Sequence, residues 1–157
     1  TTGVGTAREY PSAASYGGDK GIFGYGNSGS KVNMTNLVSN AGVIGTDVSG
    51  VGSARDELAA AGYGGDKAIF AYGNVSGAVS MSNLVSNTGV VAADVTGVGT
   101  ARQSLAAASY GGDKAIFAYG GTNVSNLVSN TGVVAADVTG VGTLRQYLAA
   151  AGYSISA

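Results

Sequence analysis

The chain has 157 residues, of which 11% are charged and 28 are glycine, and its formal net charge is −1. This length fits one domain of ordinary size. The charge balance lacks the basic face that nucleic-acid binding needs, and no apolar run approaches the roughly 18 residues of a membrane helix. We therefore expect neither nucleic acid nor a membrane as a partner.

The chain contains neither histidine nor cysteine. This absence excludes Ser-His-Asp and Cys-His catalysis, disulfides, and metal sites built from imidazole or thiolate ligands. We predict that the protein is not an enzyme, that it has no catalytic residue, and that it uses no metal and no cofactor.

Repeats organise the whole chain. Arginines recur at spacings of 47, 47 and 43 residues, and a tyrosine follows each arginine eight residues later. Residues 82–100 recur letter for letter as residues 125–143. We divide this single repeat domain, residues 1–157, into units at about 4–50, 51–97 and 98–140 and a partial unit at 141–157. Near-identity of the units indicates either recent duplication or design, and the start at Thr1 inside a repeat suggests a processed or cut end.

Four short strands are predicted in each unit. In unit three they fall at about residues 104–110, 114–119, 124–129 and 133–138, because apolar residues alternate there between turn signals. The Gly111-Gly112-Asp113 segment predicts the turn between the first two strands. In the second strand, one face should carry Lys114, Ile116 and Ala118, and the other Ala115, Phe117 and Tyr119. The fold class is therefore all-β, with short antiparallel strands.

One segment gives conflicting local signals. Residues 54–61, with the sequence ARDELAAA, have high helix propensity and end before Gly62, a plausible helix C-cap. As part of the repeat, however, they occupy the position of the first strand. A strand that is crowded near a central axis would need small residues, so we predict a strand.

The order of residues within a unit resembles the kelch motif. Unit three carries, in that order, Arg102, residues 105–108, residues 115–117, Gly120-Gly121, Asn130 and Val133-Val134. The resemblance covers nearly the whole chain, although the chain lacks the tryptophan that usually follows the asparagine turn. It implies four-stranded blades of a β-propeller. The simplified Gly- and Ala-rich units also look similar to repeat tracts in virion or tail proteins of environmental bacteriophages, which implies an extracellular or virion location.

Three units cannot close a propeller, which takes four to eight blades. We therefore expect three blades plus an extra strand, forming a partial propeller that is completed by oligomerisation. Two chains could form a six-bladed ring, or the chain could stay open and be completed by neighbours in an assembly. Because exposed sheet edges invite pairing with another chain, we predict a homo-oligomer or an assembly partner and no stable monomer.

Two sets of aspartates recur with the repeat. Asp19, Asp66 and Asp113 lie in the Gly-Gly-Asp-Lys turns and could form metal or ligand loops, or serve the turn itself. Asp47, Asp94 and Asp137 lie eight residues before the next repeat arginine and could be paired acids for glycoside cleavage, or ion-pair partners that join neighbouring units. Charged residues other than Glu9, Lys31, Asp56 and Glu57 all occupy recurring positions. Because architectural residues follow a repeat, we favour the structural alternative for both sets.

The arginines and tyrosines are the candidate ligand-binding residues. The kelch resemblance implies that the arginines line one face of the ring, where the guanidinium fork could bind an acidic ligand. The tyrosines could stack on sugars, or pack between units with their hydroxyls satisfied. The candidate set comprises Arg8, Arg55, Arg102, Arg145, Tyr25, Tyr72 and Tyr119.

Two functions remain open at this point. The first is a non-catalytic structural repeat protein that assembles with copies of itself or with a larger particle, such as a virion or surface appendage. The alternative is a lectin-like module that presents the candidate set to a glycan. On either alternative we expect plain core positions at Leu37, Leu84, Leu127, Phe23, Phe70 and Phe117.

Overall fold

The structure is a computed structural model that describes residues 4–152. Thr1, which we expect to be a processed or cut end, and Tyr153, the tyrosine that follows Arg145 by eight residues, lie outside the described residues. Within this range the chain forms nine strands in three antiparallel sheets. No helix in the described range has the length and apolar character needed to span a membrane.

Each unit contributes one three-stranded sheet whose strands follow the chain order. Unit one contains β1 (Ser12–Tyr16), β2 (Lys20–Gly24) and β3 (Thr35–Val38). Unit two contains β4 (Ala59–Tyr63), β5 (Lys67–Ala71) and β6 (Ser82–Val85). Unit three contains β7 (Ala106–Tyr110), β8 (Lys114–Ala118) and β9 (Ser125–Val128). The prediction of an all-β chain with repeated antiparallel sheets is confirmed.

The first two strands of each unit form the predicted hairpin. In unit three, Tyr110 pairs with Lys114, which leaves Gly111, Gly112 and Asp113 as the turn. Both glycines have positive φ angles, 60° and 79°, a region that L-residues with a side chain adopt only at a cost. The Gly-Gly pair is therefore a backbone requirement of the turn.

The predicted fourth strand is wrong as a regular strand. In unit three, residues 133–138 pair with β9 through two isolated bridges, Val128 with Val134 and Ser125 with Val138, rather than through a continuous ladder. The bridged residues are three apart on β9 but four apart on the outer segment, so the outer segment carries one extra residue. Such a bulge breaks the ladder. The same offset occurs in units one and two, so each sheet has three regular strands rather than four.

The extra strand predicted after unit three is also not formed in the described range. Residues 141–152 contain a single bridge, between Thr122 and Arg145, and no strand. A first strand of a unit normally pairs with the second strand of the same unit, as β4 does with β5. No second strand of a fourth unit exists within residues 4–152, so this segment has no ladder to join.

The strand prediction for the alanine-rich segment is confirmed for residues 59–61 and is wrong for residues 54–58. Residues 59–61 belong to β4, and residues 54–58 are irregular rather than helical. β4 lies between β1 and β7. A methyl group on Gly62 of β4 would lie 3.2 Å from the Ser109 hydroxyl and 3.5 Å from the Ser15 carbonyl oxygen. This crowding explains why the first strands use small residues.

The three sheets stack through these first strands and through their turns. The Gly17 amide donates to the Asp66 carbonyl at 2.7 Å, and the Gly64 amide donates to the Asp113 carbonyl at 2.7 Å. Each turn is thereby tied to the same turn of the next unit. Within the described residues the sheets form an open row and do not close on themselves.

The stacking decides which side chains are buried. In the central sheet, both Ile69 and Phe70 of β5 are fully buried, because a neighbouring unit covers each face. In β8 the predicted alternation appears, with Ala115 and Phe117 buried and Ile116 only partly buried. Two of the predicted core positions are wrong. Phe23 is 40% exposed and Leu127 is 39% exposed, because they lie on the outward faces of the first and last sheets.

Candidate functional site

Arg55 occupies the centre of the contact between units one and two. Its side chain is fully buried, and Nε donates to the Tyr72 carbonyl at 2.9 Å. Nη2 donates to Oδ1 of Asn83 at 2.7 Å, and Nη1 lies 3.8 Å from Oδ1 of Asp94. Burial lowers the pKa of Arg55 from its ordinary value, although the group remains a cation. A guanidinium held in this way has no open edge for a carboxylate or phosphate ligand.

Each inter-unit arginine also covers a tyrosine of the preceding unit. The Arg55 guanidinium carbon lies 4.3 Å from the centre of the Tyr25 ring, and that of Arg102 lies 4.2 Å from the centre of the Tyr72 ring. A third pair, Arg145 with Tyr119, is looser at 5.1 Å. These are cation–π contacts, which gain strength where water is excluded. The structure therefore brings together six of the seven predicted site residues, in pairs.

The tyrosines face the next unit on a second side. The Tyr25 ring centre lies 5.1 Å from that of Phe70, and the Tyr72 ring centre lies 5.4 Å from that of Phe117. The Tyr25 hydroxyl donates to the Val51 carbonyl at 3.2 Å, and the Tyr72 hydroxyl donates to the Val98 carbonyl at 3.4 Å. Burial raises the pKa of Tyr72 to about 12. The geometry at these two positions is that of the packing alternative, with the hydroxyl satisfied.

The four arginine positions differ in exposure. Arg55 and Arg102 are buried, Arg8 is partly buried and Arg145 is exposed. Arg8 pairs with Asp47 of its own unit at 3.7 Å, and it is the one candidate that stacks on no tyrosine within residues 4–152. The set predicted for ligand binding is therefore distributed along the contacts between units rather than over one open face. Only the pair Tyr119 and Arg145 is accessible in the described part.

The arginine–aspartate pairs exist, but their partners differ from the prediction. The sequence spacing pointed to the aspartate eight residues earlier, which for Arg55 is Asp47. Arg55 instead pairs with Asp94, and Arg102 pairs with Asp137 at 3.7 Å. The partner lies in the same unit because the fourth segment folds back against the sheet beside the arginine. The ion pair thus holds a unit together, and the tyrosine stack joins neighbouring units.

The three paired aspartates also anchor the start of their units. Asp94 accepts from the Ser53 amide at 3.0 Å, from the Ser53 hydroxyl at 2.7 Å and from Nδ2 of Asn83 at 2.9 Å. Burial alone would raise the pKa of Asp94, but the hydrogen bonds from Ser53 and Asn83 outweigh it and lower the pKa. Hydrogen bonding from Thr100 lowers the pKa of Asp137, and hydrogen bonding from Thr6 lowers that of Asp47. All three carboxylates are therefore held in the ionised form.

The turn aspartates have structural partners as well. Asp66 accepts from Lys67 Nζ at 3.1 Å and from Asn87 Nδ2 at 3.1 Å, which ties the hairpin turn to the loop after β6. The Lys67 hydrogen bond is the main reason that the pKa of Asp66 is lowered. Asp113 lies beside Lys114 in the same arrangement. Within residues 4–152 no cluster of three or more acidic side chains could hold a metal ion.

The charges that break the repeat form a further set of contacts, which sequence reasoning missed. Lys31 Nζ lies 3.1 Å from Oδ1 of Asp56 and also bonds the Asn74 side chain. Glu57 accepts from Gln103 Nε2 at 2.9 Å and from the Ser104 hydroxyl. Both sets cross from one unit to the next. Their departure from the repeat was the available signal, since a non-repeating charge on one unit needs a non-repeating partner on its neighbour.

Two equivalent grooves between units are lined without titratable side chains, whereas a third recess, lined by residues of all three units, includes Lys67, Tyr16 and Tyr63. One groove lies between units one and two and the equivalent groove between units two and three. The residues lining them are valine, leucine, glycine, serine and threonine, with no titratable side chain. The exposed members include Val48 and Val90 in the first groove and Val95 and Val133 in the second.

Comparison with known families and proteins identifies no relative. No protein-family profile matches the chain, and no curated protein sequence matches it either.

Proposed function

We propose that this chain is a non-catalytic structural repeat protein that assembles with copies of itself or into a larger particle. The proposal rests on one observation: recurring arginine and tyrosine side chains are buried in the contacts between units. Arg55 and Arg102 are buried against Tyr25 and Tyr72, so the chemistry that the repeat preserves is used to join one unit to the next.

The absence of enzymatic activity is part of the same proposal. The recurring carboxylates are engaged with backbone amides, hydroxyls, arginines or lysines, and the two valine-lined grooves between units contain no titratable group. General acid–base chemistry needs a carboxyl group whose pKa is tuned towards the working pH. The pKa values of Asp94 and Asp137 are lowered, which is the opposite direction.

The finer parts of the proposal concern the kind of assembly. A kelch-like blade arrangement is supported by the motif order and by antiparallel sheets that repeat along the chain. A location in a virion or on an extracellular appendage is supported by the simplified Gly- and Ala-rich repeats. Both would be tested by the shape of the assembled particle in electron micrographs, where a ring and a filament are readily distinguished.

The state of assembly tests the proposal directly. Native mass spectrometry and light scattering over a wide range of protein concentration should give masses that are multiples of 15.2 kDa and that grow with concentration. A single mass of 15.2 kDa at every concentration, together with cooperative unfolding, would contradict it.

The lectin-like alternative has one supporting observation. Tyr119 is only partly buried and Arg145 is exposed, so this pair could present a ring face and a guanidinium to a glycan. The test is retention on a glycan array. Tyr119→Ala should abolish retention, while Tyr10→Ala, at another exposed tyrosine, should leave it unchanged.

A further inference from the structure

The two end surfaces of the row of units carry complementary halves of one interface. We call the outward surface of unit one the N-terminal face; it includes Phe23, Gly42 and Ile44. We call the outward surface of unit three the C-terminal face; it includes Tyr110, Tyr119 and Leu127. The contacts between units one and two, and between units two and three, show which groups each face contacts when another unit covers it. The inference rests on the proposed assembly function.

The aromatic contact is the first component. Phe70 packs edge-on against Tyr25, and Phe117 packs against Tyr72, always from the N-terminal face of the later unit onto the earlier unit. Both phenylalanines are fully buried. At the ends of the row this contact is missing, since Phe23 is 40% exposed and no phenylalanine covers Tyr119 in the described part. Phe23 and Tyr119 are thus the unpaired members of a recurring pair.

The glycine turn after the third strand is the second component. A methyl group on Gly89 would lie 2.9 Å from a Leu37 methyl and 3.0 Å from the Tyr16 ring, so this turn rests on the preceding unit. Gly132 has the same relation to Leu84 and Tyr63. A methyl group on Gly42 of unit one would meet no atom within 4 Å among the described residues, whereas Leu127 of unit three is 39% exposed. The Gly42 turn and the Leu127 surface are therefore both without the contact that their equivalents make between units.

A backbone hydrogen bond is the third component. The amides of Gly17 and Gly64 each donate to the aspartate carbonyl of the next turn at 2.7 Å. Within residues 4–152 the amide of Gly111 forms no equivalent bond, and neither does the carbonyl of Asp19. The end faces therefore match in polar groups as well as in apolar surface.

A second copy of this chain carries both halves of each of these matches. We propose that the N-terminal face of one copy docks on the C-terminal face of another, with Phe23 on Tyr119, the Gly42 turn on Leu127 and Tyr110, and the Gly111 amide on the Asp19 carbonyl. The contact is heterologous, because two different patches meet. Repeating it without ring closure gives an open filament in which every junction resembles the junction between two units.

The segment at residues 141–152 occupies part of this surface and must be displaced. Its Arg145 lies over Tyr119, in the place where Arg8 of the incoming copy would lie. Leu148 and the alanines after it occupy the place of the incoming β1. The segment is largely exposed and no sheet includes it, with Tyr147 75% exposed. Its polar contacts with unit three, which the incoming copy must replace, include hydrogen bonds from the Gly121 amide to the Arg145 carbonyl at 2.8 Å and from the Tyr147 amide to the Ser104 carbonyl at 3.0 Å. Unit one of the incoming copy would replace this irregular segment with a complete three-stranded sheet.

Complementary variants test the proposal. Phe23→Asp places a charge on the N-terminal face, and Leu127→Asp places one on the C-terminal face. Val90→Asp is the control, because Val90 is 65% exposed at the groove between units one and two and belongs to neither end face. Thermal melts followed by circular dichroism check that each variant folds, and Leu127→Ser replaces Leu127→Asp if the latter melts early. Sedimentation velocity measures the assembly of each protein alone and in a one-to-one mixture.

Each face variant alone should remain monomeric, with association weakened by at least about 30-fold, as for a hot-spot residue. The mixture should form a one-to-one dimer, because the Phe23→Asp protein keeps an intact C-terminal face and the Leu127→Asp protein keeps an intact N-terminal face. The Val90→Asp control should assemble like the parent chain. Assembly of the face variants like the parent, or a mixture without dimers, overturns the docking while leaving the assembly function standing. A parent chain that stays monomeric overturns both.

Discussion

At the scale of single residues, the repeat preserves groups that are expensive to bury and that therefore need complete sets of partners. Arg55 is the clearest case, because its guanidinium makes hydrogen bonds to Tyr72 and Asn83, pairs with Asp94 and covers the Tyr25 ring. A planar fork with several donors can satisfy all of these at once, whereas an ammonium group cannot.

Replacing Arg55 with lysine should therefore be costly. Loss of the fork leaves buried acceptors unpaired, and we expect the free energy of unfolding to fall by about 3 kcal/mol. Urea denaturation of the two proteins measures the difference. Arg145→Lys is the control, because that arginine is exposed and its replacement should change the free energy by less than about 0.5 kcal/mol. Equal effects at both positions would contradict the role assigned to Arg55.

The aspartates predict how stability responds to acid. The pKa values of Asp47, Asp94 and Asp137 are lowered in the folded chain from the ordinary value of 3.8. The carboxylates therefore contribute stability that is present above pH 3.8 and is lost as pH falls through the lower folded-state pKa values. We expect the free energy of unfolding to be steady near neutral pH and to fall below about pH 4.

The substitution Asp94→Asn isolates the contribution of the Asp94 carboxylate to stability. The variant should be less stable than the parent by about 1–2 kcal/mol at pH 7, because the charged acceptor for Ser53 and Arg55 is lost. The difference should shrink as the pH is lowered from about 5 to about 3, since the parent then loses the same charge. Urea denaturation across that range measures it, and a difference that stays constant would argue against the cause given for the pKa of Asp94.

At the scale of elements, close packing of the first strands accounts for the composition of β1, β4 and β7. β4 has a first strand on either side, and Ala61 within it is buried. Side chains larger than alanine would have to push these strands apart. The local helix propensity of residues 54–61 is overridden because the strand buries small side chains on both sides and the helix would not.

Ala61→Leu tests this crowding. Overpacking of a tight site typically lowers stability by about 1–3 kcal/mol, and we expect an effect in that range. The same substitution at Ala151 places the leucine in the exposed segment after unit three, so the change should stay within about 0.5 kcal/mol. Thermal and urea denaturation compare the two variants. If Ala61→Leu leaves the stability unchanged, the first strands are not as closely packed as we infer.

At the scale of the whole molecule, position in the row decides the environment of otherwise equivalent residues. Phe23, Phe70 and Phe117 occupy the same place in nearly identical units, yet the first is 40% exposed and the other two are fully buried. A neighbouring unit covers both faces of the middle unit and one face of each end unit, and residues 141–152 lie over part of the outer face of unit three. The open ends are the feature from which the assembly proposal and the head-to-tail docking both follow.

Replacing equivalent phenylalanines by alanine should lower the stability more in the middle unit than in the first unit. Phe70→Ala removes a buried ring and should lower the free energy of unfolding by about 3–5 kcal/mol. Phe23→Ala should lower it by less than about 1 kcal/mol when measured at a concentration where the chain is monomeric, because its ring is already partly in water. Urea denaturation followed by circular dichroism gives both values. Similar losses at the two positions would show that the first unit is covered in solution by something other than a second copy.

The sequence by itself determined the all-β class, the recurrence of one antiparallel sheet in each repeat, the Gly-Gly-Asp turns and the strand at residues 59–61. These features depend on local alternation, on positive φ angles and on a repeat that is visible in the sequence. Tertiary structure decided the rest. Only the stacked units show that Arg55 pairs with Asp94 rather than Asp47, that the fourth strand is interrupted by a bulge, and that Phe23 and Leu127 lie outside the core. The physical reason is that identical units have identical local signals, whereas burial and pairing depend on which neighbour each unit has.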